Sequence, residues 1–209
     1  MINRPRRNRL TPGIRGLIRE SNIQVQDLVW PTFVQEGNDQ RTPIVSMPGG
    51  SRLSIDQLVA DSHKAFELGI PAVALFPAID DSLKNSEGKE SLNPNGLLQR
   101  AVVKLKKEIP DLVVITDVAL DPYSSDGHDG FVQNGQILND ETLPLLAGMA
   151  VAQAKAGADV VAPSDMMDGR IEAIRWALDD AGFHNVLICS YCACLLYTSD
   201  AADEGLGVD

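Results

Sequence analysis

The residues best suited to chemistry lie in one loop near the middle of the chain. Four carboxylates and one histidine fall within thirteen residues there: Asp117, Asp121, Asp126, His128 and Asp129. They follow residues 112–115, an apolar and largely β-branched run that is typical of a strand buried on both faces. Because a connection from strand to helix commonly needs about two to six residues, this longer acidic loop predicts a functional site.

Carboxylates in such a loop can transfer protons or bind a cation. One hypothesis is therefore a metal-assisted hydrolase in which Asp121, His128 and Asp129 hold a metal-bound water. A plainer alternative is that these acids only cap the next turns of the chain. The residue types alone leave both open.

Predicted strands and helices alternate around this loop, which indicates parallel βαβ units of an α/β fold. Strands are predicted over residues 28–34, 72–76, 112–115, 159–164 and 186–190. Helices are predicted to begin near Ser54, Asn93, Asn139 and Ile171. Since parallel strands end at one edge of their sheet, the loops after them are the expected places for site residues.

Several connecting segments carry their own predictions. Residues 54–57 have the form of a capping box, and residues 43–52 are predicted to be a turn-rich connection. Residues 79–91 form a polar loop that is long enough to act as a lid, although an ordinary flexible loop is the alternative. Pro144 fits its predicted helix only within the first turn.

Composition bounds the class of protein. The chain of 209 residues suits one domain and is short for a complete (β/α)8 barrel of about 250 residues. Its net charge of −11 argues against nucleic-acid partners and anionic membranes. No apolar run approaches the roughly 18 residues that span a bilayer, so we expect a soluble, cytoplasmic protein.

The two ends of the chain differ from its middle. Six arginines stand among the first twenty residues, which predicts either an extended arm that contacts another subunit or a solvated tail. Cys189 and Cys192 have the spacing of a metal or redox half-site but lack a second pair, so they are interpreted as strand residues.

The acidic loop at residues 116–130 resembles the metal-binding segment of the porphobilinogen synthase family, also called 5-aminolevulinate dehydratase. Three further stretches match the family's pattern: residues 28–37 (LVWPTFVQEG), 73–77 (VALFP) and 161–170 (VAPSDMMDGR). The resemblance ends near Ala193. It implies a (β/α)8 TIM barrel of which about the first five strands are present, over residues 28–193, preceded by an N-terminal arm over residues 1–27.

The resemblance also implies an activity and its residues. Members of the family join two 5-aminolevulinate molecules into porphobilinogen through Schiff bases on lysines, in tetrapyrrole and heme biosynthesis. It assigns catalysis to four residues at strand ends: Asp117, Asp121, Asp129 and Ser164. It assigns substrate contacts to Phe76, Asp165 and Tyr191. The first Schiff-base lysine is expected at position 194, where this chain has cysteine, so the chain as given is expected to be inactive.

The same resemblance bears on metals and assembly. The zinc-dependent branch has three cysteines where this chain has Ala119, Asp121 and Asp129, and carboxylates favour magnesium over zinc. We therefore expect magnesium for the full-length enzyme and no zinc, with Asp121 and Asp129 as weak candidates for direct ligands. The family implies a homo-octamer, and a non-catalytic oligomerisation fragment remains a further alternative.

The last sixteen residues differ in kind from the rest. Residues 194–204 resemble the translation, in one frame, of a transposase adaptor used in DNA library preparation. Residues 194–209 are therefore predicted to be a non-native tail. A genuine polar C-terminal tail is the alternative.

Overall fold

The computed structural model describes residues 3–192, in which a mainly parallel sheet is flanked by helices. The nine strands of this part of the chain are β1 (Val29–Gln35), β2 (Arg41–Pro43), β3 (Ser51–Leu53), β4 (Ala72–Ala78), β5 (Val113–Val118), β6 (Phe131–Gln133), β7 (Gln136–Leu138), β8 (Val160–Pro163) and β9 (Leu187–Ile188). The α-helices there are α1 (Pro12–Leu17), α2 (Ile55–Glu67), α3 (Leu97–Glu108), α4 (Asn139–Ala156) and α5 (Arg170–Asp180).

The main sheet has the strand order β2-β3-β1-β4-β5-β8-β9. Five of its strands are parallel to one another and lie side by side in chain order: β1, β4, β5, β8 and β9. Helices α2 to α5 make the intervening crossovers, as repeated βαβ units require. The predicted α/β fold with five successive barrel strands is thus confirmed.

Strand register brings the chemically important ends of the strands to one edge. Phe33 of β1 pairs with Phe76 of β4, and Leu75 pairs with Thr116 of β5. Val118 of β5 pairs in turn with Pro163 of β8. The loops after β1, β4, β5 and β8 therefore start side by side.

Two apolar clusters hold the helices against the sheet. One surrounds α2 and α3 and includes the fully buried Leu75 and Leu105. The other surrounds α4 and α5 and includes Leu146, Met149 and Ile174. Alternate side chains of the central strands belong to these clusters, such as Val73 and Leu75 of β4.

One buried polar residue, Gln153, links helix α4 to strand β5 by hydrogen bonds. The Gln153 side chain of α4 is fully buried, and its Nε2 donates to the main-chain oxygen of Asp117 at 2.6 Å. Its Oε1 accepts a hydrogen bond from the Thr116 hydroxyl at 2.8 Å. The carboxyl end of β5 is thereby tied to α4.

Some local predictions were wrong. The N-terminal arm is not extended through Arg9, because Pro5–Arg9 forms a 3-10 helix and Thr11 caps α1 by accepting from the Ile14 amide. Ser54 makes no capping bond to α2, since its hydroxyl accepts from the Gln40 amide instead. The Thr11 cap is a local side-chain bond, whereas the Ser54 bond joins residues fourteen positions apart.

Other local errors concern short strands and one proline. Residues 43–52 overlap the end of β2 and the start of β3, and β6 and β7 form a further hairpin outside the predicted strands. Its turn, Asn134-Gly135, has positive φ at both residues, which is a hairpin signal that was overlooked. Pro144 is the sixth residue of α4, beyond the first turn, and it is tolerated because Asp140, whose carbonyl it leaves unpaired, is exposed.

Across residues 3–192, helices fall short of the length and apolar character that a bilayer crossing needs.

Replacing Gln153 should destabilise the fold through β5. In Gln153→Leu, the Thr116 hydroxyl and the Asp117 carbonyl lose a buried partner, at about 1–3 kcal/mol each. We expect the free energy of unfolding, measured by urea denaturation, to fall by about 3 kcal/mol. Gln136→Leu, at an exposed glutamine, should change it by less than about 0.5 kcal/mol. Equal effects from the two variants would contradict the role of Gln153.

Candidate active site

A cleft of about 660 Å³ opens at the carboxyl ends of β1, β4 and β5. Its apolar side includes Phe33 and Phe76, whose ring centroids are 5.6 Å apart. Its polar side includes Asp117, Asp121 and Lys84. The cleft thus offers an aromatic surface beside two carboxylates and an ammonium group.

Asp117 is the buried acid of this cleft, with 7% of its surface exposed. Its Oδ1 has no hydrogen-bond partner among the described residues. Burial raises the pKa of Asp117 to about 6; the Ser164 hydroxyl acts in the opposite direction, and the charges of Asp121 and Asp165 raise it further. A carboxyl with this pKa can both give and take a proton near neutral pH.

A second, smaller pocket of about 310 Å³ adjoins the first at Asp121. It is lined by His128, Asp129 and Ser164 as well. Burial raises the pKa of Asp121, the Asp129 charge raises it further, and Lys84 lowers it. The His128 Nδ1 lies 4.0 Å from Asp129 Oδ1 and its ring is exposed. The structure therefore gathers Asp121, Asp129 and Ser164 around one opening.

The loop after β8 places Ser164 and Asp165 differently. Ser164 is exposed in the small pocket, whereas the Asp165 side chain is fully buried and accepts a hydrogen bond from the Met167 amide at 2.8 Å. Burial raises the pKa of Asp165 to about 6, while the Met167 amide and then the Arg170 charge lower it. Asp165 is absent from the linings of both pockets, so its contact with substrate stays a prediction.

Tyr191 follows β9 and stands near the same edge. Its amide donates to the Pro163 oxygen at 3.0 Å, which continues the pairing of β8 with β9. Burial raises the pKa of the Tyr191 hydroxyl, and the charge of Asp117 adds to the effect. The end of β9 therefore lies within electrostatic reach of Asp117.

The polar loop after β4 is anchored to the acidic loop. The Asn85 amide donates to the Tyr123 oxygen, and the Ser125 amide donates to the Asn85 oxygen, both at 3.2 Å. Two 3-10 turns, Asp81–Leu83 and Lys89–Leu92, fill much of the loop. It presents Lys84 to the cleft, paired with Asp81 at 2.8 Å.

Two buried polar groups were missed by the sequence reasoning. Gln153 has no role in the sequence analysis, although a lone amide among alanines on a buried face is a usable signal of a polar contact. Tyr123 is 3% exposed, and its hydroxyl has no partner among the described residues. No sequence pattern distinguishes its burial from an ordinary loop aromatic.

The described residues contain no group of three or more His, Cys, Asp or Glu side chains arranged to hold a metal ion. Asp121, His128 and Asp129 lie near one another without forming such a group. The metal-assisted hydrolase therefore has no support from residues 3–192, and direct metal binding by Asp121 and Asp129 stays a prediction.

The fold and the cleft define an α/β protein of the barrel class, with acids at the carboxyl ends of its parallel strands. The profile of the delta-aminolevulinic acid dehydratase family matches residues 2–200. The chain belongs to this family.

Individual relatives agree. The chain is 52% identical over 190 residues to the delta-aminolevulinic acid dehydratase of Bradyrhizobium diazoefficiens, covering 91% of this chain and 54% of that protein. It is 53% identical to the chloroplastic enzyme 1 of Arabidopsis thaliana, covering 92% and 45%. The crystal structure of the Toxoplasma gondii enzyme in complex with porphobilinogen superimposes with a TM-score of 0.87 at 45% identity, covering 97% of this chain and 59% of that one. The chain thus spans about half the length of the curated relatives that it matches.

The raised pKa of Asp117 predicts a pH-dependent stability. Between its ordinary pKa of 3.8 and about 6, the native state holds the proton and the unfolded state has released it. The free energy of unfolding should therefore fall as pH rises through this window and stay lower above it. Asp117→Asn removes this loss, so the variant should be more stable than the parent at pH 7 by up to about 3 kcal/mol.

Urea unfolding at pH 4, 5, 6 and 7 tests this prediction. Asp126→Asn, in the same loop at an exposed residue, is the matched control and should keep the parent's pH dependence. An Asp117→Asn curve parallel to that of the parent would show that Asp117 ionises normally.

Proposed function

We propose that the protein to which this chain belongs is a porphobilinogen synthase, which condenses two 5-aminolevulinate molecules into porphobilinogen. The observation that carries the proposal is the buried Asp117 carboxyl beside Asp121 and Ser164 at the carboxyl edge of a family-typical sheet. The porphobilinogen complex of the Toxoplasma gondii relative supports the product.

Schiff-base chemistry needs a proton donor and acceptor near the amine. A neutral lysine amine attacks the substrate ketone, and the resulting carbinolamine loses water to give the imine. Asp117, whose pKa is raised to about 6, protonates the departing hydroxyl and takes a proton back in later steps. The reacting lysine is expected shortly after β9, and the end of β9 lies within electrostatic reach of Asp117, which supports this role for Asp117.

The second substrate carries an ammonium group that carboxylates can bind. Asp121 and Asp129 line the small pocket next to the cleft and are proposed to hold this group and to move its protons. Phe33 and Phe76 supply an apolar wall for the carbon chain of a substrate. Ser164 lines the small pocket, and its hydroxyl lowers the pKa of Asp117, which lines the cleft.

Position 194 decides whether this chain can react. It lies outside the described residues, and there we propose a lysine in the natural sequence where the chain has cysteine. The segment 194–209 is proposed to be non-native. The arm at residues 1–27 and the barrel portion at residues 28–193 are proposed as natural parts.

Metal and assembly follow the same reasoning. Magnesium is proposed to bind the full-length enzyme through later strands, where it would contribute charge without entering the steps above. The chloroplastic relatives fit a magnesium-type lineage. A homo-octamer is proposed, supported by large apolar side chains that stand exposed on the arm: Leu10, Leu17 and Ile23. The cytoplasmic location stays a prediction.

The chain as given should form no porphobilinogen, because Cys194 cannot make an imine. Purified chain is incubated with 5-aminolevulinate, and the pyrrole is measured by its colour reaction. The Bradyrhizobium diazoefficiens relative is the positive control, and boiled chain sets the background. Pyrrole formation above that background would contradict the assigned lysine.

In the full-length protein with lysine at position 194, the acids of the small pocket should matter strongly. Asp129→Asn removes a proposed ammonium ligand and proton carrier, and we expect kcat/KM to fall about 10²–10⁴-fold. Asp168→Asn, at an exposed loop acid, should stay within about threefold. Comparable activity of the two variants would remove Asp129 from the mechanism.

A further inference from the structure

Arg170, the first residue of α5, joins three parts of the chain. Its Nε lies 3.4 Å from Asp165 Oδ2, which is an ion-pair distance, and both atoms are buried without a hydrogen-bond partner in residues 3–192. Its Nη1 donates to the Met167 oxygen and its Nη2 to the Tyr191 oxygen, each at 3.2 Å. One guanidinium thus contacts the loop after β8 and the chain that leaves β9.

The planar guanidinium suits this arrangement. Its five donors diverge in a fixed fork, so one side chain can satisfy a carboxylate and two carbonyls in different directions. The Asp165 side chain is fully buried and the Arg170 side chain is only 19% exposed, so their attraction is weakly screened. The contact is therefore better suited to fix geometry than an exposed pair.

The segment held by Arg170 is otherwise lightly supported. β9 has only two residues, and beyond it the Cys189 and Tyr191 amides donate to the oxygens of Val161 and Pro163. Leu187 and Tyr191 are largely exposed, at 64% and 44%. The hydrogen bond from Arg170 to the Tyr191 carbonyl is therefore one of the few contacts that fix the position of this segment.

We propose that Arg170 is a positioning residue that, anchored by Asp165, holds residues 189–191 at the edge of the sheet where Asp117 lies. The functional consequence rests on the proposed function, because position 194 follows this segment by three residues. The contact itself is independent of any substrate. It assigns a role to Asp165 that differs from substrate contact.

Electrostatic coupling between Tyr191 and Asp117 reports this geometry directly. The Asp117 charge raises the pKa of the Tyr191 hydroxyl, so Asp117→Asn should lower that pKa in the parent chain. In Arg170→Gln the segment should move away from Asp117, the Tyr191 pKa should already be lower, and Asp117→Asn should then have no further effect. The measurement is the ultraviolet titration of phenolate in a Tyr197→Phe background, since Tyr123 is buried.

A matched control is available on the same helix. Arg175 also binds carbonyls near β9, those of Phe183 and Val186, but on the side where the strand begins. Arg175→Gln should therefore leave the coupling of Tyr191 with Asp117 intact. Far-ultraviolet circular dichroism at each pH establishes that the compared variants remain folded.

Amide hydrogen exchange gives a second readout. Arg170→Gln removes the charged donor to the Tyr191 carbonyl, so exchange of the neighbouring Tyr191 amide should become about tenfold faster or more. Asp165→Asn, which keeps an acceptor for the Met167 amide, should give a smaller increase at the same amide. Arg175→Gln should leave the Tyr191 amide unchanged.

Loss of the coupling together with faster Tyr191 exchange, confined to Arg170→Gln and Asp165→Asn, supports the proposal. Preserved coupling in Arg170→Gln overturns it, as does exchange that rises equally throughout the protein. Neither readout uses 5-aminolevulinate or turnover. A failure of this proposal is thus distinguishable from a failure of the proposed enzymatic function.

Discussion

The hydrogen bonds between Gln153 and the carboxyl end of β5 fix the acidic edge of the molecule. Asp117 must leave water to acquire its raised pKa, yet its main chain cannot lie unpaired in the interior. The buried amide of Gln153 resolves this conflict by binding the Asp117 carbonyl and the Thr116 hydroxyl. β5 can then end inside the protein, with the Asp117 side chain lining the cleft.

The remaining features of the site follow from that burial. Acids on neighbouring loops raise one another's pKa, and the nearby cations Lys84 and Arg170 each moderate one of them. Lys84 comes from the loop after β4, which is tied by Asn85 to the acidic loop. Arg170 comes from the helix after β8. The end of β5 and the loops after β5 and β8 thus supply the acids, and the flanking elements supply the charges that shift their pKa values.

Sequence reasoning succeeded where a pattern reflects burial over many residues. The apolar runs of β4, β5 and β8 predicted the parallel sheet. Asp117, Asp121, Asp129 and Ser164 do lie at one edge of it, and their catalytic roles stay predictions. It failed where single contacts decide the outcome. The Ser54 hydroxyl bonds to the Gln40 amide and makes no capping bond to α2, and the buried Gln153 amide binds the end of β5. Such contacts join residues far apart in the chain or depend on one rotamer, which periodicity cannot reveal.

The central claim is that this edge is one part of a site completed by a lysine at position 194 and by later strands of the barrel. The most direct measurement is long-read sequencing of the source DNA across the codons for residues 190–204. The account predicts a lysine codon at position 194 and a frame that continues through three more βα units. A source sequence that encodes Cys194 and the tail as given, matched by the mass of the expressed protein, would contradict it.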